Sequence, residues 1–119
     1  MNNGQWIAWL AGIVEGEGYP HVILGSLNRG GGYFRKKRPR TVGLDVTQKG
    51  RWLTDTIMQR FGGHVYEVWH SRWQTTYMRW ILRGKKAAAL LRQLYPYLSP
   101  RRQAQIREVF RTCGLSIGP

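Results

Sequence analysis

The stretch LAGIVEGEG, Leu10–Gly18, decides how the rest of the chain is read. The protein has 19 Lys and Arg against only 6 Asp and Glu, yet two of those acids, Glu15 and Glu17, close this short run. They follow an apolar segment that starts at Trp6 and has the composition of a helix. A carboxylate at a helix C-terminus faces the negative end of the dipole and costs about 0.3–1 kcal/mol. The same segment spaces Ala8, Gly12 and Gly16 four apart, a stripe without bulk on which a second backbone can approach closely. Glycine weakens a helix, so this stripe points to two helices packed tightly together.

Global composition narrows the class of partner. The 119 residues are enough for one domain with its own core, residues 1–119, and 42% of them are hydrophobic, which excludes a disordered chain. A formal charge of +13 repels itself, and a polyanionic partner is the usual compensation. The run Trp6–Val14 is far shorter than the ~20 residues a bilayer span needs, and no basic segment precedes it, so neither a membrane anchor nor a secretion signal is expected. The lone cysteine, Cys113, falls in an apolar helical pattern and reads as a small core residue of an intracellular protein.

Outward from the opening motif, periodicity changes. Val22 and Leu24, then Val42, Leu44 and Val46, alternate with a period of two and predict a strand pair within 19–28 and 40–48. Between them Arg29–Arg40 forms a basic loop with three consecutive glycines. A helix is expected over 51–61, carrying Leu53, Ile57 and Phe61 on one face and ended by Gly62-Gly63. A second strand pair follows at 64–71 and 76–83, joined through Arg72-Trp73-Gln74. A helix from Gly84 to Tyr95 turns Ala87, Leu90, Leu91 and Leu94 inward, and Pro96 stops it. Ser99 as N-cap with Pro100 behind it opens the last helix, whose stripe is Ile106, Val109, Phe110 and Cys113.

This order, αββαββα and a last helix, predicts an α+β fold: one antiparallel sheet with helices on one face. Val22, Leu24, Val42, Leu44 and Val46 would face the helices. The opposite face would carry His21, Ile23, Gly25, Thr41, Gly43, Asp45 and Thr47, with His64, Tyr66, Val68 and His70 from the second pair. A polar open sheet bordered by a basic loop suits a DNA major groove. The three histidines match no common zinc spacing.

LAGIVEGEG resembles the signature of the LAGLIDADG homing endonucleases. VTQKGRW (Val46–Trp52) and YPYLSPRRQAQ (Tyr95–Gln105) resemble two further family segments, in the right order along almost the whole chain. The resemblance implies a homodimer whose motif helices pack along the two-fold axis through Ala8, Gly12 and Gly16, bringing two carboxylates together. It implies Mg²⁺, or another divalent cation such as Mn²⁺ or Ca²⁺, held by Glu17 and the Gly16 carbonyl. Glu stands where the family more often has Asp. Gln48 matches a glutamine that orders water at the scissile phosphate, and Arg101 stands where lysine is commoner; an arginine stabilises phosphate charge but does not give up its proton. Glu15 is read as structural.

The partner implied is double-stranded DNA, cut in both strands at a long pseudo-palindromic site, in the service of a mobile intron or intein. Arg29, Arg35, Lys36, Lys37, Arg38 and Arg40 would hold phosphates, with Lys49 and Arg51 either doing the same or assisting Gln48. His21, Ile23, Gly25, Thr41, Asp45, His64, Tyr66, His70 and Arg72 are candidates for the base-facing surface. The tryptophans are core by default, except Trp73 in its loop. The competing reading is a non-cleaving nucleic-acid binder on the same fold, a splicing maturase or DNA-binding regulator, which gains nothing from paired acids near phosphates.

Overall fold

The structure is a computed structural model and describes residues 1–25 and 39–118. The loop candidates Arg29, Arg35, Lys36, Lys37 and Arg38 lie outside the described residues. The order is α1 (Asn3–Glu17), β1 (Gly18–Leu24), β2 (Arg40–Gln48), α2 (Trp52–Phe61), β3 (His64–His70), β4 (Thr75–Arg83), α3 (Lys85–Leu94), a 3₁₀ turn Tyr95–Tyr97 and α4 (Pro100–Thr112). The helix α1 begins before the apolar run because Asn2 and Gln5 form a reciprocal capping box, each side chain bonding the other's backbone N–H at 2.8 Å. Ser99 and Pro100 open α4 as the sequence predicts. Pro96 sits inside the 3₁₀ turn that follows α3.

The four strands form one antiparallel sheet in the order β1-β2-β4-β3. One face packs on the helices: Val42, Leu44, Val46, Trp80 and Leu82 are buried with Leu10, Val14, Ile57, Leu91, Leu94, Ile106 and Phe110. Val22 is half-buried at the margin of this core. Leu24, expected on the same face, is 49% exposed, because it ends β1 opposite Arg40, beyond the reach of the helices. The tryptophans also divide more widely than expected. Trp80 is fully buried and donates its indole N–H to the Gly62 carbonyl at 2.7 Å, whereas Trp52, Trp69 and Trp73 are exposed. Cys113 is half-buried against the core, where burial pushes its thiol pKa up.

The junction between α1 and β1 is the tightest point of the frame. A Cβ added at Gly18 would stand 2.7 Å from both Cα and Cγ1 of Val14, so the strand leaves the helix with no room for a side chain. Gly18→Ala is expected to destabilise the protein by about 1–3 kcal/mol, the usual cost of overpacking. A denaturant melt of the variant checks this, and an unchanged midpoint would mean that the junction yields.

Candidate nucleic-acid interface and nuclease site

The register of the first strand pair brings the site together. Gly18 pairs with Val46, so β2 runs two residues past the start of β1 and lays Gln48 beside the last turn of α1. There Gln48 Nε2 donates to Glu17 Oε2 at 2.8 Å. Two sequence-derived candidates, 31 residues apart, are thus in direct contact.

Glu15 points elsewhere. Its Oε1 accepts the Ser99 backbone N–H at 2.7 Å and its Oε2 accepts the Ser99 hydroxyl at 2.8 Å. It therefore ties the end of α1 to the N-cap of α4, which is a structural role. Those Ser99 hydrogen bonds, the backbone one first, hold the Glu15 carboxyl below its ordinary value of 4.5, with Arg101 and Arg102 adding to the effect and partial burial opposing it. A depressed pKa in the folded state stabilises the protein above the unfolded value, and this contribution is lost as pH falls through the folded value. Melting temperatures of wild type and Glu15→Gln should therefore differ most above about pH 4.5 and converge in more acidic solution. A constant gap across that range would show that the charge is immaterial.

Arg101 is 72% exposed and its Nη2 lies 3.9 Å from Glu15 Oε2, so its guanidinium sits next to Glu15 rather than against Glu17. Its neighbour Arg102 is buried, donates from Nε to the Glu15 carbonyl at 3.1 Å and from Nη1 to Gln105 Oε1 at 2.8 Å. Arg102 thus satisfies a carbonyl in the last turn of α1, and nothing in the local pattern separates it from Arg101 except that the helix turns one inward. Arg51 is directed toward Asp55 (3.4 Å) and Glu67 (3.8 Å), while Lys49 is exposed in the bend after Gln48.

Charge pairing singles out Glu17. Asp45, Asp55, Glu67, Glu15 and Glu108 each lie within ion-pair distance of an arginine. Among the described residues Glu17 has no such cation, in a chain of net charge +13. It is exposed, as is Gly16 before it, and among the described residues no atom outside α1 lies within 4 Å of where a Cβ would stand at Gly12 or Gly16. Ala8 is exposed on the same stripe. Among the described residues no group of three or more His, Cys, Asp or Glu side chains converges.

The open sheet face has the expected membership. Registers across β1, β2, β4 and β3 align Tyr19, Asp45, Ile81 and His64 in one row, and Thr47, Arg79 and Tyr66 in the next across β2, β4 and β3. Ile23 and His21 lean over Gly43, where an added Cβ would come within 2.5 Å of Ile23 Cδ1. His21 stacks on Tyr19 at 4.8 Å and its Nδ1 lies 3.0 Å from the Tyr19 carbonyl. Gly25 closes against Pro39, its N–H donating to the Pro39 carbonyl at 2.7 Å. Thr41 is half-buried, and Arg40 and Arg72 are exposed. At the far end His70, Trp73 and Tyr77 form an aromatic cluster, with His70 stacked on Trp73 at 4.2 Å. Asp45, expected to reach base edges, is instead buried at 6% exposure beneath Arg79, because the two charges neutralise each other on the sheet. Arg79 was missed, since a single arginine in a strand carries no signal beyond its alternation.

The architecture is a four-stranded antiparallel sheet with helices on one face. The fold is that of the LAGLIDADG homing endonucleases. The homing endonuclease I-CvuI bound to its target in the presence of calcium is 23% identical, with a TM-score of 0.71 over 93% of this chain and 67% of that one. The archaeal intron-encoded homing endonuclease I-Vdi141I, complexed with DNA, is 20% identical, with a TM-score of 0.61 over 90% of this chain and 67% of that one. The LAGLIDADG meganuclease I-AabMI bound to uncleaved DNA is 17% identical, with a TM-score of 0.60, and its match covers 89% of this chain but 34% of that one. No protein-family model and no curated protein matches the sequence. Among the described residues no helix is long and apolar enough to cross a membrane.

Proposed function

We propose that the chain is a single-domain, metal-dependent DNA endonuclease of the LAGLIDADG type that acts as a homodimer on a long, pseudo-palindromic duplex. The observation that carries this reading is Glu17: an exposed carboxylate without a cation partner among the described residues, bonded to Gln48, at the end of a helix with an open small-residue stripe. Two such helices packed through Ala8, Gly12 and Gly16 form a self-complementary two-fold contact. The contact sets two Glu17 side chains near one axis, one for each DNA strand.

The donor set fits a hard divalent cation. Mg²⁺ takes one or two carboxylates, carbonyl oxygens and waters, and the Glu17 carboxylate and Gly16 carbonyl are oxygen ligands of that kind. A cation held there would stabilise charge on the scissile phosphate and on the leaving oxygen. Gln48 orients the Glu17 carboxylate through its amide and keeps its own carbonyl oxygen for a water. Arg101, exposed in the first turn of α4, neutralises phosphate charge and keeps its proton throughout. The basic residues Arg40, Lys49 and Arg72 add sequence-independent, salt-sensitive affinity. Such an enzyme acts on intracellular DNA and would serve the mobility of an intron or intein.

The test is selection from a randomised duplex library with wild type or Glu17→Gln, in Mg²⁺ or in EDTA. Cleaved, pseudo-symmetric sites obtained only with wild type and Mg²⁺ support the proposal. Sites bound equally by both proteins and never cut would replace it with the non-cleaving binder.

A further inference from the structure

We infer that Arg79 reads a guanine in the major groove and that Asp45 is the positioning residue that aims it; this inference rests on the DNA-binding reading above. Arg79 lies at the centre of the open face, on the inner strand β4, beside Thr47 of β2 and Tyr66 of β3. Its Nε donates to Asp45 Oδ2 and its Nη2 contacts the same oxygen. A guanidinium has five N–H donors in a rigid fork. The pairing with Asp45 uses the Nε edge and leaves Nη1 and the outer hydrogen of Nη2 as a second edge. The side chain is 42% exposed while the Asp45 side chain is only 8% exposed, so the carboxylate is hidden beneath the arginine.

Three features make this an aimed donor pair rather than a plain phosphate clamp. The carboxylate anchors the side chain and removes much of the rotamer freedom that a long arginine would otherwise lose on binding. The arginine also lines one wall of a cleft of about 320 Å³, with Thr47, Val68, His70, Trp73 and Tyr77 on its other sides, so the guanidinium borders an open recess. Finally, Asp45 cancels the charge of Arg79, so the pair adds little to the nonspecific attraction for phosphates. What remains is geometry: two parallel donors on a groove-facing sheet, the arrangement that matches O6 and N7 of guanine. Among the described residues Asp45 Oδ1 has no hydrogen-bond partner, and His21 Nε2 is 3.6 Å from it. It is too enclosed to reach a base itself, which is why the recognition falls to Arg79.

The test starts from the sites enriched by wild-type protein and replaces each guanine in turn by 7-deazaguanine, which lacks N7 yet pairs normally. One guanine in each half-site should lose about 10- to 100-fold in affinity. Inosine at the same position, which keeps O6 and N7, should bind as guanine does. In Asp45→Asn that discrimination should shrink several-fold while the salt dependence of binding steepens, because the charge of Arg79 is no longer cancelled. The double variant Asp45→Asn/Arg79→Ala, which leaves no buried charge unpaired, should bind all four bases alike at that position. If wild type binds its selected sites and no guanine responds to the loss of N7, the inference is overturned and the nuclease reading stands. If wild type enriches no duplex sequence, both are overturned.

Discussion

Gly12→Leu is expected to give a fully folded protomer that no longer cuts duplex DNA. The two halves of that result have separate causes. Within one protomer the position is open, because among the described residues no atom outside α1 lies within 4 Å of a Cβ placed there. Leucine is also the better helix former, by close to 1 kcal/mol. The melting temperature should therefore hold or rise slightly. In the proposed dimer the same leucine would stand where two helix backbones approach, and a four-carbon side chain would force them apart. Sedimentation should then show monomer at concentrations where wild type is dimeric, and double-strand cleavage should fall by at least about 100-fold, since loss of register by an ångström already costs that much. A variant that unfolds would place Gly12 in the protomer core after all. A variant that cuts at the wild-type rate would mean that the chains do not meet along this stripe.

Glu17→Gln tests the chemistry with the frame left intact. The substitution is nearly isosteric, and the new amide can still accept the Gln48 N–H that bonds Glu17 at 2.8 Å. No ion pair is broken among the described residues, because Glu17 has none there. Stability should be unchanged within about 0.5 kcal/mol, as for other exposed substitutions. Duplex affinity should hold or tighten, since one negative charge is removed near the phosphates. Cleavage should drop by more than about 100-fold, the upper range for losing an outer-shell partner of a metal, because here the proposed ligand itself is lost. Gln48→Ala should fall in that outer-shell range, about 10- to 100-fold. Retained cutting by Glu17→Gln would move the reaction to other groups and overturn the assigned role.

Local sequence carried much of this protein. Alternation at Val42, Leu44 and Val46 placed β2 and its buried face, and the Ser99-Pro100 pair placed the start of α4, because caps and periodicity depend on neighbours a few residues away. The motif run put Glu17 at the end of α1 for the same reason. The misses share a cause of the opposite kind. Leu24 has the right parity for the core but ends its strand beyond the helices. Trp52 and Trp69 look like core residues by composition, yet their elements turn them outward. Asp45 and Arg79 are 34 residues apart, and only the β2–β4 register reveals that one covers the other.

The sequence by itself determined the element types, the face of each strand and the presence of an unusual acidic pair in a basic chain. Tertiary structure decided what each acid meets. Glu15 and Glu17 are two residues apart on one helix, so local rules treat them alike. Packing of α4 against α1 gives Glu15 the Ser99 N–H and hydroxyl across a separation of 84 residues. The β1–β2 register gives Glu17 an amide partner and leaves it without a cation among the described residues. Side chains within one turn thus meet different partners because a helix directs them about 200° apart, and only long-range contacts determine what each one meets.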